Sequence, residues 1–284
     1  MSESISLNWV SFIRSGRSRI HELHETHETH ETHESKRMPS STTVRVFSTA
    51  EEVAEAAARQ LVELATNATT IGNRFAVALA GGNTPRRMYE LLASGHFRNR
   101  VDWPAVHLFF GDERSVSRDH PDSNYRMAYE ALISCVDIPA SNVHPINGEG
   151  EPATNAALYE TELCEFLRSA SKPALDLVLL GLGEDGHTAS LFPHTQALGV
   201  TDKWVVANWV EKLASYRITL TPTAINGSSQ VTFMVAGANK AAAVKAVLEG
   251  PLQPENLPAQ LIKPEAGTLT WLLDSQAASM LSKH

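Results

Sequence analysis

A carboxylate and a histidine stand two residues apart in a glycine-rich loop, as Asp185 and His187. The apolar run of residues 175–180 precedes the loop and predicts a strand buried on both faces of a parallel sheet. At the carboxyl end of that strand, Asp185 would fix the tautomer of the His187 imidazole, which would serve as a general base. The alternative is a tight turn that happens to carry a polar histidine.

A second glycine-rich loop has the features of an anion site. The apolar strand predicted over residues 75–80 is followed by Gly81, Gly82, Asn83 and Thr84. Thr84 suits the N-cap of the next helix, and Pro85 suits its first position. Backbone N–H groups and the positive end of the helix dipole would then face a phosphate. The alternative is a plain turn, since a Gly-Gly pair after a strand is common.

Two more strand ends carry charged side chains. Asp112 and Arg114 follow the apolar run of residues 106–110, and Lys240 begins a predicted helix after the strand of residues 230–236. Acid and base together at a strand end indicate a site, whereas the alternative is a solvated loop with internal ion pairs. A lysine is unfavourable in a first helical turn unless a bound anion offsets the cost; otherwise it is an ordinary surface lysine.

The strands before these four loops predict how the loops are positioned. The carboxyl ends of parallel strands lie along one edge of a sheet, so the four loops should meet where α/β sheets bind ligands. We therefore expect an α/β fold with a parallel sheet. Further predicted elements are strands over residues 43–47, 204–208, 216–221 and 268–272, helices ending near residue 66 and spanning 154–169 and 240–249, a helix capped by Ser123, and short helices over 188–191 and after the last strand.

The composition argues against several classes of protein. The 284 residues are 43% hydrophobic with a formal net charge of −8, enough for one large α/β domain or two small ones. The absence of a basic stripe argues against a nucleic-acid binder. No apolar run approaches the roughly 20 residues of a membrane helix. The two cysteines form neither a disulfide framework nor a metal spacing, so we expect free thiols and a cytoplasmic location.

The two ends of the chain differ from the rest. Residues 1–37 begin with arginines among serines, which faintly resembles an organelle-targeting peptide, and continue into the repeat HETHETHETHE. Histidine-rich tracts can bind metal, but so polar a stretch has nothing to bury. We expect a disordered extension over residues 1–37 and one domain over residues 38–284. The last residues, Ser282, Lys283 and His284, differ by one from the peroxisomal address Ser-Lys-Leu.

Five segments together resemble the 6-phosphogluconolactonase family of the glucosamine-6-phosphate isomerase/6-phosphogluconolactonase superfamily. They read AGGNTP, FGDERSVSRDHPDSN, GLGEDGHTASLFP, YRITLT and GANK, in the family's order. Asn83 stands where the family often has Ser, and Ser117 where it commonly has Pro. The resemblance implies a three-layer α/β/α fold with a mainly parallel, Rossmann-like sheet. It also implies a catalytic domain that hydrolyses 6-phospho-D-glucono-1,5-lactone to 6-phospho-D-gluconate, the second step of the oxidative pentose phosphate pathway.

The resemblance also implies roles for the site residues. His187 would be the general base with Asp185 beside it, Arg114 would meet the substrate's polar groups or the developing oxyanion, and Asp112 would face the sugar. The phosphate would be bound by Gly81, Gly82, Asn83, Thr84 and Lys240, with Arg217 as a further candidate. Neither a metal nor another cofactor is implied. The expected partner is a small sugar phosphate, without nucleic acid or membrane, and the expected state is a monomer or weak dimer.

Two other functions stay open at this point. Glucosamine-6-phosphate isomerases also have an Asp-Gly-His loop, but they typically carry a glutamate five residues after the histidine. Here that position is Phe192, whose ring cannot accept a proton from the imidazole. The other alternative is a sugar-phosphate-binding protein without catalysis. Asp185, His187 and Arg114 argue against it.

Overall fold

The computed structural model describes residues 42–70, 73–168, 174–264 and 266–282. The predicted extension over residues 1–37 and its repeat lie outside these ranges. Lys283 and His284 also lie outside them, so the expectations attached to both ends stay predictions.

Nine strands lie in the described part of the chain. They are β1 (Thr42–Phe47), β2 (Phe75–Leu79), β3 (Val106–Phe110), β4 (Asp112–Arg114), β5 (Leu177–Leu180), β6 (Val205–Val210), β7 (Ser215–Leu220), β8 (Gln230–Val235) and β9 (Thr268–Asp274). Six form one sheet in the order β1-β9-β8-β5-β2-β3, and every neighbouring pair in it is parallel. The other three form a small antiparallel sheet in the order β4-β7-β6.

Helices flank the large sheet. They are α1 (Ala50–Thr70), α2 (Asn83–Ala93), α3 (Asn124–Ala131), α4 (Pro152–Leu167), α5 (Pro222–Asn226) and α6 (Ala241–Glu249). Helix α1 packs on β8, β9 and α2, and α4 packs on β6 and β7. Alanines at positions 54, 57 and 58 of α1 are fully buried, so this helix approaches its neighbours closely. The predicted α/β/α fold with a mainly parallel sheet is confirmed.

The central strands are buried along their whole length. Every residue of β2, β3 and β5 is buried, because helices cover a parallel sheet on both faces and the strands therefore read as continuous apolar runs. The edge strand β1 differs, since Val44 and Val46 are exposed. In the core, the rings of Phe233 and Trp271 stack with their centroids 3.9 Å apart.

Two predicted helix starts are displaced by one or two residues. The spacing of Ser48 and Glu51 predicts a capping box at the start of α1, but the structure uses Thr49 and Glu52. The Glu52 N–H donates to the Thr49 hydroxyl, and the Glu52 carboxylate accepts from the Thr49 N–H. Helix α2 begins at Asn83, so Gly82 is its N-cap and Thr84 is not. Gly82 has φ 104°, which a glycine adopts without strain.

The short helices predicted over residues 188–191 and after the last strand are wrong. Ala189 has φ 46°, and Thr188 and Leu191 form an isolated bridge. The polar side chains here bond to other parts of the fold, as the Thr188 hydroxyl does to the Gly181 carbonyl at 2.8 Å. Such bonds compete with a helix. Residues 275–280 after β9 form turns.

Candidate active site

Two buried tyrosines fix the ends of the strands that lead into the site. The Tyr89 hydroxyl, from α2, donates to the Ala80 carbonyl at 2.9 Å and accepts from the Ala80 N–H at 3.0 Å. The Tyr159 hydroxyl, from α4, accepts from the Phe110 N–H at 2.8 Å and donates to the Phe110 carbonyl at 3.2 Å. Each tyrosine thus satisfies both backbone groups of the last residue before a glycine loop.

The four predicted loops surround one cleft of about 230 Å³. They follow β2, β3, β5 and β8, which are neighbours in the sheet in the order β8-β5-β2-β3. The polar and glycine residues that line the cleft include Gly81, Gly82, Asp112, Arg114, His187 and Lys240. The structure therefore brings the predicted base, the glycine pair and the lysine together.

Four other predicted site residues lie just outside the lining of this cleft. Asn83 and Thr84 occupy the first turn of α2. Asp185 lies behind the His187 ring and lines a second hollow. Arg217, on β7, is paired in register with Arg114 on β4.

His187 and Asp185 form the predicted pair. Nδ1 of His187 lies 2.5 Å from Oδ1 of Asp185, and the His187 backbone N–H also donates to that oxygen at 3.3 Å. With the carboxylate ionised, Nδ1 carries the proton and Nε2 is the nitrogen that can accept one. The pair therefore fixes the tautomer that a general base needs.

The surroundings of this pair favour a neutral imidazole beside a charged carboxylate. Burial lowers the pKa of His187, and the nearby Asp185 only partly offsets this effect. Burial would raise the pKa of Asp185, but hydrogen bonds from Lys212 and His187 outweigh it and hold that pKa well below its usual value. At neutral pH the imidazole is thus free to take up a proton.

The ring of His187 is held between a glycine and an aromatic side chain. A Cβ atom at Gly183 would lie 2.0 Å from Nδ1 of His187, so only glycine fits there. On its other side the ring stacks on Phe192, with centroids 4.1 Å apart and planes 25° apart. The position that carries a glutamate in the isomerases therefore holds an apolar platform under the imidazole.

Asp112 is positioned by partners that the sequence did not reveal. The Ser190 hydroxyl donates to Oδ2 of Asp112 at 2.6 Å, and the Asn124 amide donates to its Oδ1 at 3.2 Å and to its carbonyl at 2.8 Å. Asp112 is buried but still lines the cleft. Its carboxylate is thus held by neutral donors.

Arg114 does not form an internal ion pair with Asp112, which the alternative of a solvated loop would favour. Its Nη1 donates instead to the carbonyl of Asp122. The acid between them, Glu113, points away to the start of α3, where it accepts from the N–H groups of Asn124 at 2.7 Å and Tyr125 at 2.8 Å. Alternation along β4 places Asp112 and Arg114 on one side and Glu113 on the other.

Positive charge collects around the cleft. Arg114 and Arg217 face each other across β4 and β7, an arrangement of like charges that a bound anion would relieve. Burial, followed by the charge of Arg114, lowers the pKa of Arg217. Helices α2 and α6 both start at the cleft, with neither a side-chain cap nor an acidic residue in the first turn. Two helix dipoles are therefore available to an anion.

Lys212 belongs to the site although no sequence motif marked it. Its Nζ forms an ion pair with Oδ2 of Asp185 and lies 4.7 Å from the centroid of the Phe192 ring. Ser190 and Asn124 could have been suspected, because both lie in segments quoted for the resemblance. Lys212 lies outside those segments, in the 3₁₀ turn Glu211–Leu213.

The described residues form neither a metal-binding cluster nor a membrane-spanning helix. They contain no group of three or more His, Cys, Asp or Glu side chains arranged to hold a metal ion. None of the described helices combines the length and the apolar character needed to span a membrane.

Comparison with known proteins gives consistent matches. Residues 48–271 match the family described as glucosamine-6-phosphate isomerases/6-phosphogluconolactonase. The 6-phosphogluconolactonase of Synechocystis sp. is 47% identical over 208 residues, which cover 72% of this chain and 84% of that protein. The solved structure of 6-phosphogluconolactonase from Trypanosoma brucei is 31% identical, covers 85% of this chain and 99% of its own, and has a TM-score of 0.74.

Proposed function

The chain belongs to the glucosamine-6-phosphate isomerase/6-phosphogluconolactonase family, and we propose that it hydrolyses 6-phospho-D-glucono-1,5-lactone to 6-phospho-D-gluconate. This is the second step of the oxidative pentose phosphate pathway. One observation carries the proposal: His187, which is hydrogen-bonded to Asp185, shares a cleft of about 230 Å³ with Lys240 and the glycine pair. A sugar phosphate held at one end would present its ester to an imidazole at the other.

The phosphate binds where the positive charge and free N–H groups gather. Gly81 and Gly82 lead into α2, and Lys240 leads into α6, so both helix starts face the phosphate oxygens. Asn83 and Thr84 contribute from the first turn of α2. Arg217 adds charge from beside Arg114. Binding energy from the phosphate fixes the lactone ring near His187 and lowers the barrier to reaction.

His187 is the general base. Its Nε2 takes a proton from a water molecule, and the resulting hydroxide attacks the lactone carbonyl carbon. Asp185 stabilises the imidazolium that forms. The Arg114 guanidinium and backbone N–H groups of the loops stabilise the tetrahedral oxyanion. The ester C–O bond then breaks, and His187 returns its proton to the departing ring oxygen.

The sister activity is disfavoured by the surroundings of His187. Ring opening and deamination in that subgroup are associated with a glutamate at the position of Phe192. Here the Phe192 ring stacks on the imidazole, so a carboxylate cannot reach it from that side. Position 192 therefore does not supply the carboxylate that would complete an isomerase.

A direct assay tests the proposal. Freshly generated 6-phosphogluconolactone should be hydrolysed far faster than by solvent alone, after correction for the spontaneous reaction. Glucosamine 6-phosphate serves as the control substrate and should not be turned over. Turnover of glucosamine 6-phosphate without lactonase activity would overturn the assignment.

Location and assembly belong to the same proposal. Cys135 and Cys164 are free thiols, which suits the reducing cytoplasm. We expect a monomer or weak dimer with no nucleic-acid partner, to be checked by sedimentation at several protein concentrations.

A further inference from the structure

The candidate base and three neighbouring side chains contact one another in a closed cycle. Lys212 pairs with Asp185, Asp185 bonds to His187, His187 stacks on Phe192, and the Phe192 ring lies under the Lys212 ammonium. The members come from two places in the chain. Three lie in the loop region after β5, and Lys212 lies in the turn after β6.

The Asp185 carboxylate of this cycle is partly exposed to solvent through a second hollow. Asp185 lines a second hollow of about 800 Å³ together with Phe192, Trp209 and Lys212. Its side chain is 33% exposed, so water can compete with His187 for its oxygens. A carboxylate that rotated toward this water would release Nδ1 and, with it, the orientation of the imidazole.

We propose that Lys212 is a positioning residue for the lactonase reaction, which holds Asp185 in place so that Asp185 keeps Nε2 of His187 directed into the cleft. The geometry supports this division of roles. The Lys212 ammonium donates to Oδ2 of Asp185, so Oδ1 of Asp185 is available to accept from Nδ1 of His187. The Lys212 ammonium also lies 4.7 Å from the centroid of the Phe192 ring, a second attraction that holds it near Asp185. The inference rests on the proposed function.

A contribution to folding stability does not explain the ion pair between Lys212 and Asp185. The Lys212 side chain is 51% exposed, and exposed pairs of this kind contribute little to folding. A positioning role predicts effects on the protonation of His187 that a structural role would not produce. The charged groups that face His187 are Asp185 from its own loop, Lys212 from the turn after β6 and Asp112 from β4.

Three variants of the full chain separate these roles. Lys212→Met removes the charge but keeps an unbranched side chain, Lys212→Arg keeps the charge, and Lys245→Met removes an exposed lysine of α6 as a control. In Lys212→Met we expect kcat to fall about tenfold with KM little changed, because imidazole orientation is lost.

Lys212→Arg should stay close to the wild type in kcat and KM, and Lys245→Met should match the wild type. Nitrogen-15 NMR of labelled histidines, with His187 assigned by its loss in His187→Gln, gives a second readout without substrate. Lys212→Met should show less of the Nδ1–H tautomer of His187. An unchanged tautomer in Lys212→Met would overturn the proposal. Equal losses in Lys212→Arg and Lys212→Met would also overturn it.

Failure of the proposed function would look different. If the wild type did not hydrolyse the lactone, the kinetic comparison would be void, but the NMR comparison would still show whether Lys212 controls the tautomer of His187. Melting temperatures of the variants within a few degrees of the wild type would show that the changes are not caused by unfolding.

Discussion

At the scale of single residues, the proposed reaction depends on one imidazole that is kept neutral and correctly oriented. His187 is partly buried, which lowers its pKa, and its Nδ1 is occupied by Asp185. Lactone hydrolysis needs a base that is unprotonated near neutral pH. The same burial that disfavours the imidazolium in the resting site therefore prepares the residue for its task, and Asp185 stabilises the charge when it appears.

Replacing this imidazole tests its role directly. His187→Gln should lower kcat by about 10²- to 10⁴-fold, the usual contribution of a general base. Affinity for 6-phosphogluconate, measured by calorimetry, should change little, because the phosphate contacts lie at the other end of the cleft. In the wild type, activity should be lost as the pH falls through a limb below about 6.5, since protonation removes the base. A variant that retained most of the lactonase rate would exclude His187 as the base.

The sequence predicted which loops meet at the cleft because these loops are short and have a distinctive composition. Asp185, His187, Arg114 and Lys240 could all be named from motif and position. Lys212 could not, because it contacts Asp185 across 27 positions of sequence, and a lysine in a polar turn resembles any surface lysine. The partners of Asp112 and Arg114 could not be predicted for a similar reason, since they come from other segments of the chain.

At the scale of elements, two helices hold the strand ends that carry the site. Tyr89 from α2 and Tyr159 from α4 each satisfy both backbone groups of the last residue before a glycine loop. Burial raises the pKa of both phenols, so both stay neutral and able to donate. Without these contacts, the loops that begin at Gly81 and Gly111 would start from strand ends with unpaired groups.

Loss of one phenol should therefore affect both stability and activity. Tyr159→Phe leaves the Phe110 N–H and carbonyl without their partner, which should cost about 1–3 kcal/mol in the free energy of unfolding. The value of kcat/KM should fall several-fold, because the next residues lead to Asp112 and Arg114. Urea denaturation and lactonase kinetics provide the measurements, with the exposed Tyr129→Phe as the control. Unchanged stability in Tyr159→Phe would contradict this account.

Element types followed from the sequence more securely than element ends. Apolar runs marked β2, β3, β5 and β8 because both faces of each are covered. The start of α2 was misjudged by two residues, since the backbone of Gly82 can leave the strand direction earlier than a Thr84 cap requires. The predicted helix over residues 188–191 failed because Thr188 and Ser190 bond to distant groups, which no local pattern reports.

At the scale of the whole molecule, the parallel sheet gathers four loops at one edge. A buried histidine pair lies elsewhere in the same framework: Nδ1 of His107 on β3 is 3.1 Å from Nε2 of His144, and Nδ1 of His144 is 2.7 Å from Glu162 on α4. Burial, aided by the nearby His144 and Arg74, lowers the pKa of His107 to about 4. This cluster links the sheet to a flanking helix.

The buried pair of His107 and His144 makes the free energy of unfolding depend on pH. Between about pH 6.5 and pH 4 the unfolded chain binds a proton at His107 and the folded chain does not, so stability falls as the pH falls through this window. The effect is ~3 kcal/mol at most. His107→Gln should reduce this loss, whereas His96→Gln at an exposed position should not. Urea midpoints between pH 7 and pH 4 check the prediction, and parallel curves for all three proteins would refute it.

We propose that one sugar phosphate spans the cleft from Lys240 to His187. The decisive measurement is the kcat/KM of the wild type and of Lys240→Met, each on 6-phosphogluconolactone and on unphosphorylated gluconolactone. We predict that Lys240→Met loses roughly 10- to 100-fold on the phosphorylated lactone, the value of a charge-assisted hydrogen bond, and is unchanged on the other. An equal fall on both lactones, or on neither, would contradict the account.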